Sequence, residues 1–391
     1  YQFKRLSALL STAYDNSEYY RKIFQKHNVI PSEIESLSDI GKLPLLTKST
    51  LLASNSKIQL KITGEKSFYS ETSGSTGEPL VFYRNQDWDA WHNASVFRGY
   101  SWHNIKPWDR NGYLWGYNYS FKKSLLTKVF DLLQNRFRLF SYSDSEIEKF
   151  CKKLAKAKYL NGYSSMIYEL AKLIEKKPEL KNKINLSLIK GTSEKIFDSY
   201  QEAAKKAFGR KIISEYGAAE AGIIAFECPE GHMHVNMETV IVEEVDNKIV
   251  VTNLTSTSFP IIRYELGDYI VLDKKTKCKC GRSSHIIKEV TGRIGKSIYG
   301  QTETYPSLTL YYIFKNLATN HDLTLNYQVV QKIKGMIDIR LENTISEVEK
   351  NLLITEVKKY FNDDIEYSIS ENQVLTSKSG KTKDFITEVI D

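Results

Sequence analysis

A chain of 391 residues exceeds what one hydrophobic core usually supports, and its 41% hydrophobic and 26% charged content is that of a soluble globular protein with two domains. Four cysteines exclude a secreted disulfide scaffold, and no apolar run reaches the length of a membrane span. The net charge of +8 is spread over lysines interleaved with acids, which reads as solvated helix faces and not as a nucleic-acid patch.

In chain order, residues 1–50 read as a helical appendage with a turn at Val29-Ile30-Pro31-Ser32. The β-prone Ser67-Phe68-Tyr69-Ser70 leads into Thr72-Ser73-Gly74-Ser75-Thr76-Gly77-Glu78-Pro79. Four hydroxyls and two glycines in six residues make a loop whose N–H groups can close around a polyanion. It is not a P-loop. The decoys Gly295-Lys296-Ser297 and Gly380-Lys381-Thr382 have Val290 and Leu375 where the first glycine belongs.

From about residue 60 to 275, β-prone runs alternate with helical ones. The runs are Val81-Phe82-Tyr83, 112–116, Leu186-Ser187-Leu188-Ile189 and Lys211-Ile212-Ile213-Ser214; the helices include 145–158 and 169–183. This predicts an α/β fold with a mixed sheet and ligand loops at strand ends. Ile147, Phe150, Cys151 and Leu154 follow helical spacing, so Cys151 reads as core and not as a nucleophile.

Cys228, Cys278 and Cys280 with His234 form a complete tetrahedral zinc set, read as structural, with His232 as the alternative to His234. After Thr291-Gly292-Arg293 the chain changes character. Strands over 323–330, Met336–Leu341 and 365–369, with a helix capped by Ser346 and Glu349, predict a small α+β lid.

Further motifs fall in order: Glu215-Tyr216-Gly217-Ala218-Ala219-Glu220, Arg263-Tyr264-Glu265-Leu266-Gly267-Asp268, Thr291-Gly292-Arg293 and Ser379-Gly380-Lys381. With the loop at 72–79 they resemble the signatures of the adenylate-forming superfamily: acyl-CoA synthetases, adenylation domains and luciferases. Tyr19-Tyr20-Arg21, Leu43-Pro44-Leu45-Leu46-Thr47-Lys48, Thr257–Tyr264 and Cys278-Lys279-Cys280-Gly281-Arg282 narrow the resemblance to the phenylacetate–CoA ligase and CapK-like subgroup.

That resemblance implies an N-terminal ATP- and acyl-binding domain over 1–293, a hinge at 294–296 pivoting at Lys296, and a lid over 297–391. It implies that Ser73, Gly74, Ser75, Thr76 and Gly77 hold the ATP phosphates. Gly191, Ser193 and Glu194, with Glu215, Tyr216, Gly217 and Ala218, line the nucleotide site, and Glu220 ligates Mg²⁺. Asp268 binds the ribose, Arg293 approaches ribose and phosphate, and Lys381 reaches the α-phosphate.

Trp115, Tyr117, Gly162, Tyr163 and Ser164 fall where related enzymes wall the acyl pocket. The implied reaction is activation of a small carboxylic acid by ATP through an acyl-AMP, then transfer to CoA, in the cytoplasm without nucleic acid or membrane insertion. Two rivals share the motifs: transfer to a carrier-protein thiol or an amine, and nucleotide binding without turnover. The second is motivated by Ala219, which stands where the superfamily carries a hydroxyl.

Overall fold

The structure, a computed structural model, describes residues 1–61, 63–72, 80–114, 121–139, 144–193, 196, 198–293, 297–323, 325, 327–375 and 385–389. The chain divides into two compact units, Tyr1–Glu71 with Val81–Gly292, and Thr72–Leu80 with Arg293–Asp391.

The first unit opens with helices α1 (Gln2–Asn16), α2 (Glu18–Lys26), α3 (Lys48–Ala53) and α4 (Asn55–Ile58). A 3₁₀ turn at Pro31–Glu33 breaks the helical run where Pro31 can start but not continue a helix. This segment is tied into the body: the Tyr20 hydroxyl donates to the Pro260 carbonyl (2.7 Å), and the Leu60 N–H donates to the Ser258 carbonyl (2.7 Å).

Strands β1 (Phe68–Glu71) and β2 (Val81–Arg84) form an antiparallel hairpin, and α5 (Gln86–Ser101) follows. Next come β3 (Asn111–Leu114), α6 (Phe121–Leu133), β4 (Arg136–Arg138), α7 (Asp144–Leu154) and β5 (Tyr159–Tyr163). Helices α8 (Ser164–Glu175) and α9 (Pro178–Lys181) lead to β6 (Leu188–Thr192), and α10 (Asp198–Phe208) to β7 (Ile213–Ala218). The helix expected over 169–183 is therefore two, broken where Pro178 lacks the N–H to continue.

On α7, Ile147, Phe150, Cys151 and Leu154 are all at most 3% exposed, as their spacing requires. Each apolar side chain so buried contributes about 1.5–3 kcal/mol. Burial also pushes the Cys151 thiol up to about 11, which suits an inert core residue. The solvent faces carry paired charges, among them Lys149–Glu146 (2.8 Å) and Lys152–Glu148 (2.9 Å).

The chain then turns antiparallel through β8 (Gly222–Glu227), β9 (Met233–Val235), β10 (Val240–Val245), β11 (Lys248–Asn253), β12 (Tyr264–Asp273) and β13 (Ile286–Arg293). Among the described residues the resulting sheet has eleven strands in the order β10-β11-β12-β13-β9-β8-β7-β6-β5-β3-β4. The segment β4-β3-β5-β6-β7 is parallel. Its order reverses between β3 and β5, and such reversals leave a ligand crevice beyond the strands' carboxyl ends.

The second unit comprises β14 (Ser297–Tyr299), β15 (Thr304–Pro306), α11 (Leu308–His321), β16 (Tyr327–Ile333), β17 (Met336–Leu341), α12 (Glu347–Phe361), β18 (Glu366–Ser370) and β19 (Phe385–Thr387). Four of these strands make a sheet in the order β18-β17-β16-β19, packed through Val329, Ile337, Leu353, Val357 and Phe361. The capping box is present: the Ser346 N–H donates to Glu349 Oε2 (2.7 Å), and the Glu349 N–H donates to Ser346 Oγ (3.3 Å). The strand expected from 323 begins only at Tyr327, because α11 runs on to His321 and Leu323 closes its C-terminus. Among the described residues no helix is long and apolar enough to cross a membrane.

Candidate functional site

Parallel pairing sets Gly162 beside Gly191 and Tyr163 beside Thr192 at the carboxyl ends of β5 and β6, and Thr192 beside Glu215 in the middle of β7. The two glycines are there for space. A Cβ on Gly162 would stand 2.5 Å from the Leu114 carbonyl oxygen, and one on Gly191 would stand 2.6 Å from Ser164 Oγ. Gly162, Tyr163 and Ser164, expected in the acyl wall, thus lie at the β3–β5 reversal, and Ser164 is fully buried.

Just past β6, Ser193 holds φ +66°, an uncommon conformation for a residue with a side chain and one that clusters at ligand sites. In β7, Tyr216 donates to Asp268 Oδ2 at 2.6 Å, joining two motif segments that are 52 residues apart. Gly217 admits the close return of the chain, since a Cβ there would meet the Gly222 carbonyl at 2.5 Å. The turn between β7 and β8 exposes Ala219 and buries Glu220 to 4% exposure. Ala218 closes this turn by accepting from the Ala221 N–H (3.1 Å).

Glu215 is not open to solvent. Its Oε1 takes an ion pair from Lys190 Nζ (2.8 Å) and a hydrogen bond from Thr192 Oγ1 (3.1 Å). The sequence reading missed Lys190, whose role depends on strand pairing and leaves no local signal.

Arg263 was read only as part of a motif, and the structure makes it a clamp. At φ +47° its guanidinium grips Glu243 through two bonds (3.1 and 3.0 Å) and donates to the carbonyls of Gly41 (3.0 Å) and Leu43. The Leu46 N–H donates to the Arg263 carbonyl and the Glu265 N–H to the Leu46 carbonyl, both at 2.9 Å. The Leu43–Lys48 and Arg263–Asp268 motifs are therefore one hydrogen-bonded unit.

Ser73, Gly74, Ser75, Thr76, Gly77, Trp115, Tyr117, Glu194, Lys296 and Lys381 lie outside the described residues. At the neck of the 73–79 segment, Thr72 and Leu80 exchange two bonds: Thr72 N–H to the Leu80 carbonyl (3.0 Å) and Leu80 N–H to Thr72 Oγ1 (2.9 Å). Arg293 ends β13, and its side chain is outside the description.

A second cluster forms past the far end of β8. Cys228, His234, Cys278 and Cys280 bring one ligand atom each within 4.8 Å of the others. Metal–thiolate bonds of roughly 2.3 Å at the tetrahedral angle set two sulfurs roughly 3.8 Å apart. Cys228 and Cys278 Sγ are 3.8 Å apart, so the donor set fits a tetrahedral ion.

His234 turns Nε2 to Cys280 Sγ (3.2 Å) and Nδ1 to Ser284 Oγ (3.1 Å), the arrangement that fixes a ligating imidazole. Its neighbour His232 sets Nδ1 3.4 Å from Cys278 Sγ and accepts the Cys228 N–H at its carbonyl (2.9 Å). Burial pushes the Cys228 thiol up to about 11. Burial also raises Cys280, but hydrogen bonds from Arg282 and the neighbouring thiols outweigh it and bring that thiol down to about 7.

These geometries can be set beside known proteins. No family model matches the chain. It is 26% identical over 306 residues to Protein CapK of Staphylococcus aureus, covering 71% of this chain and 64% of that protein. Over 92 residues it is 34% identical to the phenylacetate-coenzyme A ligase of Aromatoleum evansii, covering 23% of this chain and 21% of the ligase. The chain thus spans less than two thirds of either relative's length.

Among solved structures it is similar to 2-hydroxyisobutyryl-CoA ligase in complex with 2-HIB-AMP and CoA, with TM-score 0.67 and 18% identity over 99% of this chain and 89% of that one. The same ligase in its postadenylation state with R3-HIB-AMP gives TM-score 0.64 and 16% identity, again over 99% and 89%. The fold is that of the acyl-adenylate-forming ligases.

Proposed function

We propose that the protein activates a small carboxylic acid with ATP and passes the acyl group to CoA, in the manner of the phenylacetate–CoA ligase and CapK-like subgroup. The observation that carries this reading is the Tyr216–Asp268 pair at the end of β7, on a fold shared with acyl-adenylate-forming ligases. A carboxylate oxygen attacks the α-phosphorus, the bond to the β-phosphate breaks, and pyrophosphate leaves. A thiol then attacks the acyl carbon and AMP leaves. The acid is already ionised at neutral pH, so no general base is needed and charge stabilisation carries the reaction.

In this reading Asp268 accepts from the ribose hydroxyls and Tyr216 flanks the adenine, with Gly191, Ser193, Glu194, Glu215, Gly217 and Ala218 around them. Ser73 to Gly77 cradle the phosphates, and Arg293 and Lys381 bring positive charge to them. The buried Glu220 carboxylate would hold Mg²⁺, which neutralises phosphoryl oxygens when bound. Trp115 and Tyr117 join Gly162, Tyr163 and Ser164 in the acyl wall. Residues 1–293 and 297–391 act as separate domains about a hinge at 294–296.

The four-donor cluster would hold one structural zinc. Its four protein ligands leave no open position for water, so it does no chemistry. Ala219 favours a second reading, nucleotide binding without turnover, because it puts a methyl group where a phosphate-contacting hydroxyl would stand; one hydrogen bond is worth about 1 kcal/mol.

Pyrophosphate release across a panel of carboxylic acids, with and without CoA, tests the proposal. Acid-dependent release and a CoA thioester are expected. Release with the product on a carrier protein or amine would redirect the second step, and binding of ATP without any release would leave the second reading.

A further inference from the structure

The last turns of α6 are built inside out. Asp131 faces inward at 5% exposure, where Arg138 Nε donates to its Oδ2 (2.6 Å) and Arg138 Nη2 to its Oδ1 (2.9 Å). Its apolar neighbours face water instead: Val129, Phe130, Leu132 and Leu133 are between 50% and 78% exposed. At about 3.6 residues per turn these four share one side of the helix and Asp131 takes the other. A surface helix ordinarily does the reverse, turning its apolar stripe to the core and its charge to water.

The patch continues past the helix. The Asn135 N–H donates to the Leu132 carbonyl (3.0 Å) and Asn135 Nδ2 to the Trp108 carbonyl (3.2 Å), which sets the segment before β3 against the end of α6. Trp108 is itself 67% exposed. Soluble monomers rarely leave so many large apolar side chains together in water, and such a patch marks a docking face.

The rim of the patch is cationic. Lys106 holds its Nζ 5.8 Å from the centroid of the Trp108 ring, and Arg110 donates to Asn135 Oδ1 (3.2 Å). The Lys158 N–H donates to the Arg110 carbonyl (2.7 Å), and Lys128 precedes Val129 on α6; all three lysines are exposed. The neighbouring acids are engaged: Asp131 by Arg138, Glu146 by Lys149 (2.8 Å), and Asp109 Oδ2 by the Lys106 N–H (2.8 Å).

A second copy docking this patch on itself would press two cationic rims together, because a twofold interface presents the same surface from both sides. An anionic lipid surface suits both parts of it. Headgroups draw the lysines, while the apolar side chains and the indole enter the boundary beneath. Lysine stems that lie along apolar surface and keep their charge in water are favoured at such a boundary.

We propose that this face docks on an anionic lipid surface, lying on the bilayer without crossing it. The patch sits at the amino ends of β3 and β4, which start at Asn111 and Arg136, where the Asn111 N–H donates to the Asn135 carbonyl (3.1 Å). The crevice of the sheet lies beyond the carboxyl ends, so docking leaves it open.

Co-sedimentation of the full chain with phosphatidylcholine vesicles, with and without phosphatidylglycerol, tests the inference. Affinity should rise about tenfold or more with the anionic lipid and fall with added salt. Leu132→Ser with Leu133→Ser, and separately Lys106→Glu with Lys128→Glu, should each lower it about tenfold or more. All four side chains are exposed, so the melting temperature should hold. Tryptophan fluorescence should shift to the blue on anionic vesicles, and Trp108→Phe should remove the shift.

Equal binding to neutral vesicles, anionic binding that both double variants retain, or no vesicle binding at all overturns the inference. A dimer in light scattering that the leucine variant dissolves, without vesicle binding, overturns it too and assigns the face to a second copy.

Discussion

Strand β8 begins at one kind of site and leads into another, and the two contrast in how their polar atoms are satisfied. Past its far end, both ring nitrogens of His234 have partners and the Cys280 N–H reaches Cys278 Sγ (3.5 Å). At its near end, by Gly222, His92 Nδ1 has none, and on the neighbouring β7 Glu215 Oε2, opposite Phe226, has none either, while Ser193 past β6 keeps a left-handed backbone. A closed donor set of four protein ligands lends stability and leaves nothing for a substrate. An unfinished set lowers stability in the protein by itself. Under the proposed function the unsatisfied groups belong to the reacting part of the sheet and the satisfied ones to the stabilising part.

The largest effect is expected on the proposed reaction. Lys381→Ala is expected to lower acid-dependent pyrophosphate release about 10²–10³-fold, the size of effect seen when one preorganised stabilising group is removed, with the melting temperature unchanged. Near wild-type turnover in steady-state assays would remove Lys381 from the reaction.

Cys278→Ser should do the reverse. Elemental analysis is expected to show metal falling from about one equivalent to near none, and calorimetry a lower Tm, each lost kcal/mol being worth about 2–4 °C. Activity at low temperature should largely survive, and a collapse of activity with metal content unchanged would erase the distinction.

Ser284→Ala sharpens the comparison. The Ser284 hydroxyl meets His234 Nδ1, and loss of such an orienting partner typically weakens metal affinity about 10–100-fold. Competition with a chromophoric chelator measures this, and an unchanged affinity would show that Ser284 orients nothing. The smallest effect is expected of Asp268→Asn, which gives up one ionised acceptor and should raise KM for ATP about tenfold while leaving metal content alone. Isothermal titration with ATP analogues checks it.

What the sequence made legible was what is local or spaced by a helical or strand period. Ile147, Phe150, Cys151 and Leu154 identified their helix, and Ser346 with Glu349 identified a helix start. The Cys/His set could also be found, because few residue types ligate metals and this chain has only four cysteines. What escaped depends on register between distant strands. Nothing near Lys190 or Glu215 announces that β6 and β7 will set them 2.8 Å apart, and Ser284 looks like any loop hydroxyl. The parallel strand β19 was missed for the same reason, since its partner β16 lies more than 50 residues earlier.

The clamp at Arg263 also constrains the order in which the protein is made and folds. Its bond to the Leu43 carbonyl spans 220 residues, and the bond from Tyr20 to Pro260 spans 240. The helices over 2–58 leave the ribosome well before residue 263, and about 200 further residues must be synthesised before these hydrogen bonds can close. Contacts of such long separation carry their loop-closure entropy up front and form slowly. Leu6, Leu9, Leu10 and Phe24 are all at most 1% exposed in the finished protein, so until residue 263 arrives residues 1–58 lack part of the framework that holds them, and incompletely packed apolar surface is what exposes a nascent chain to aggregation.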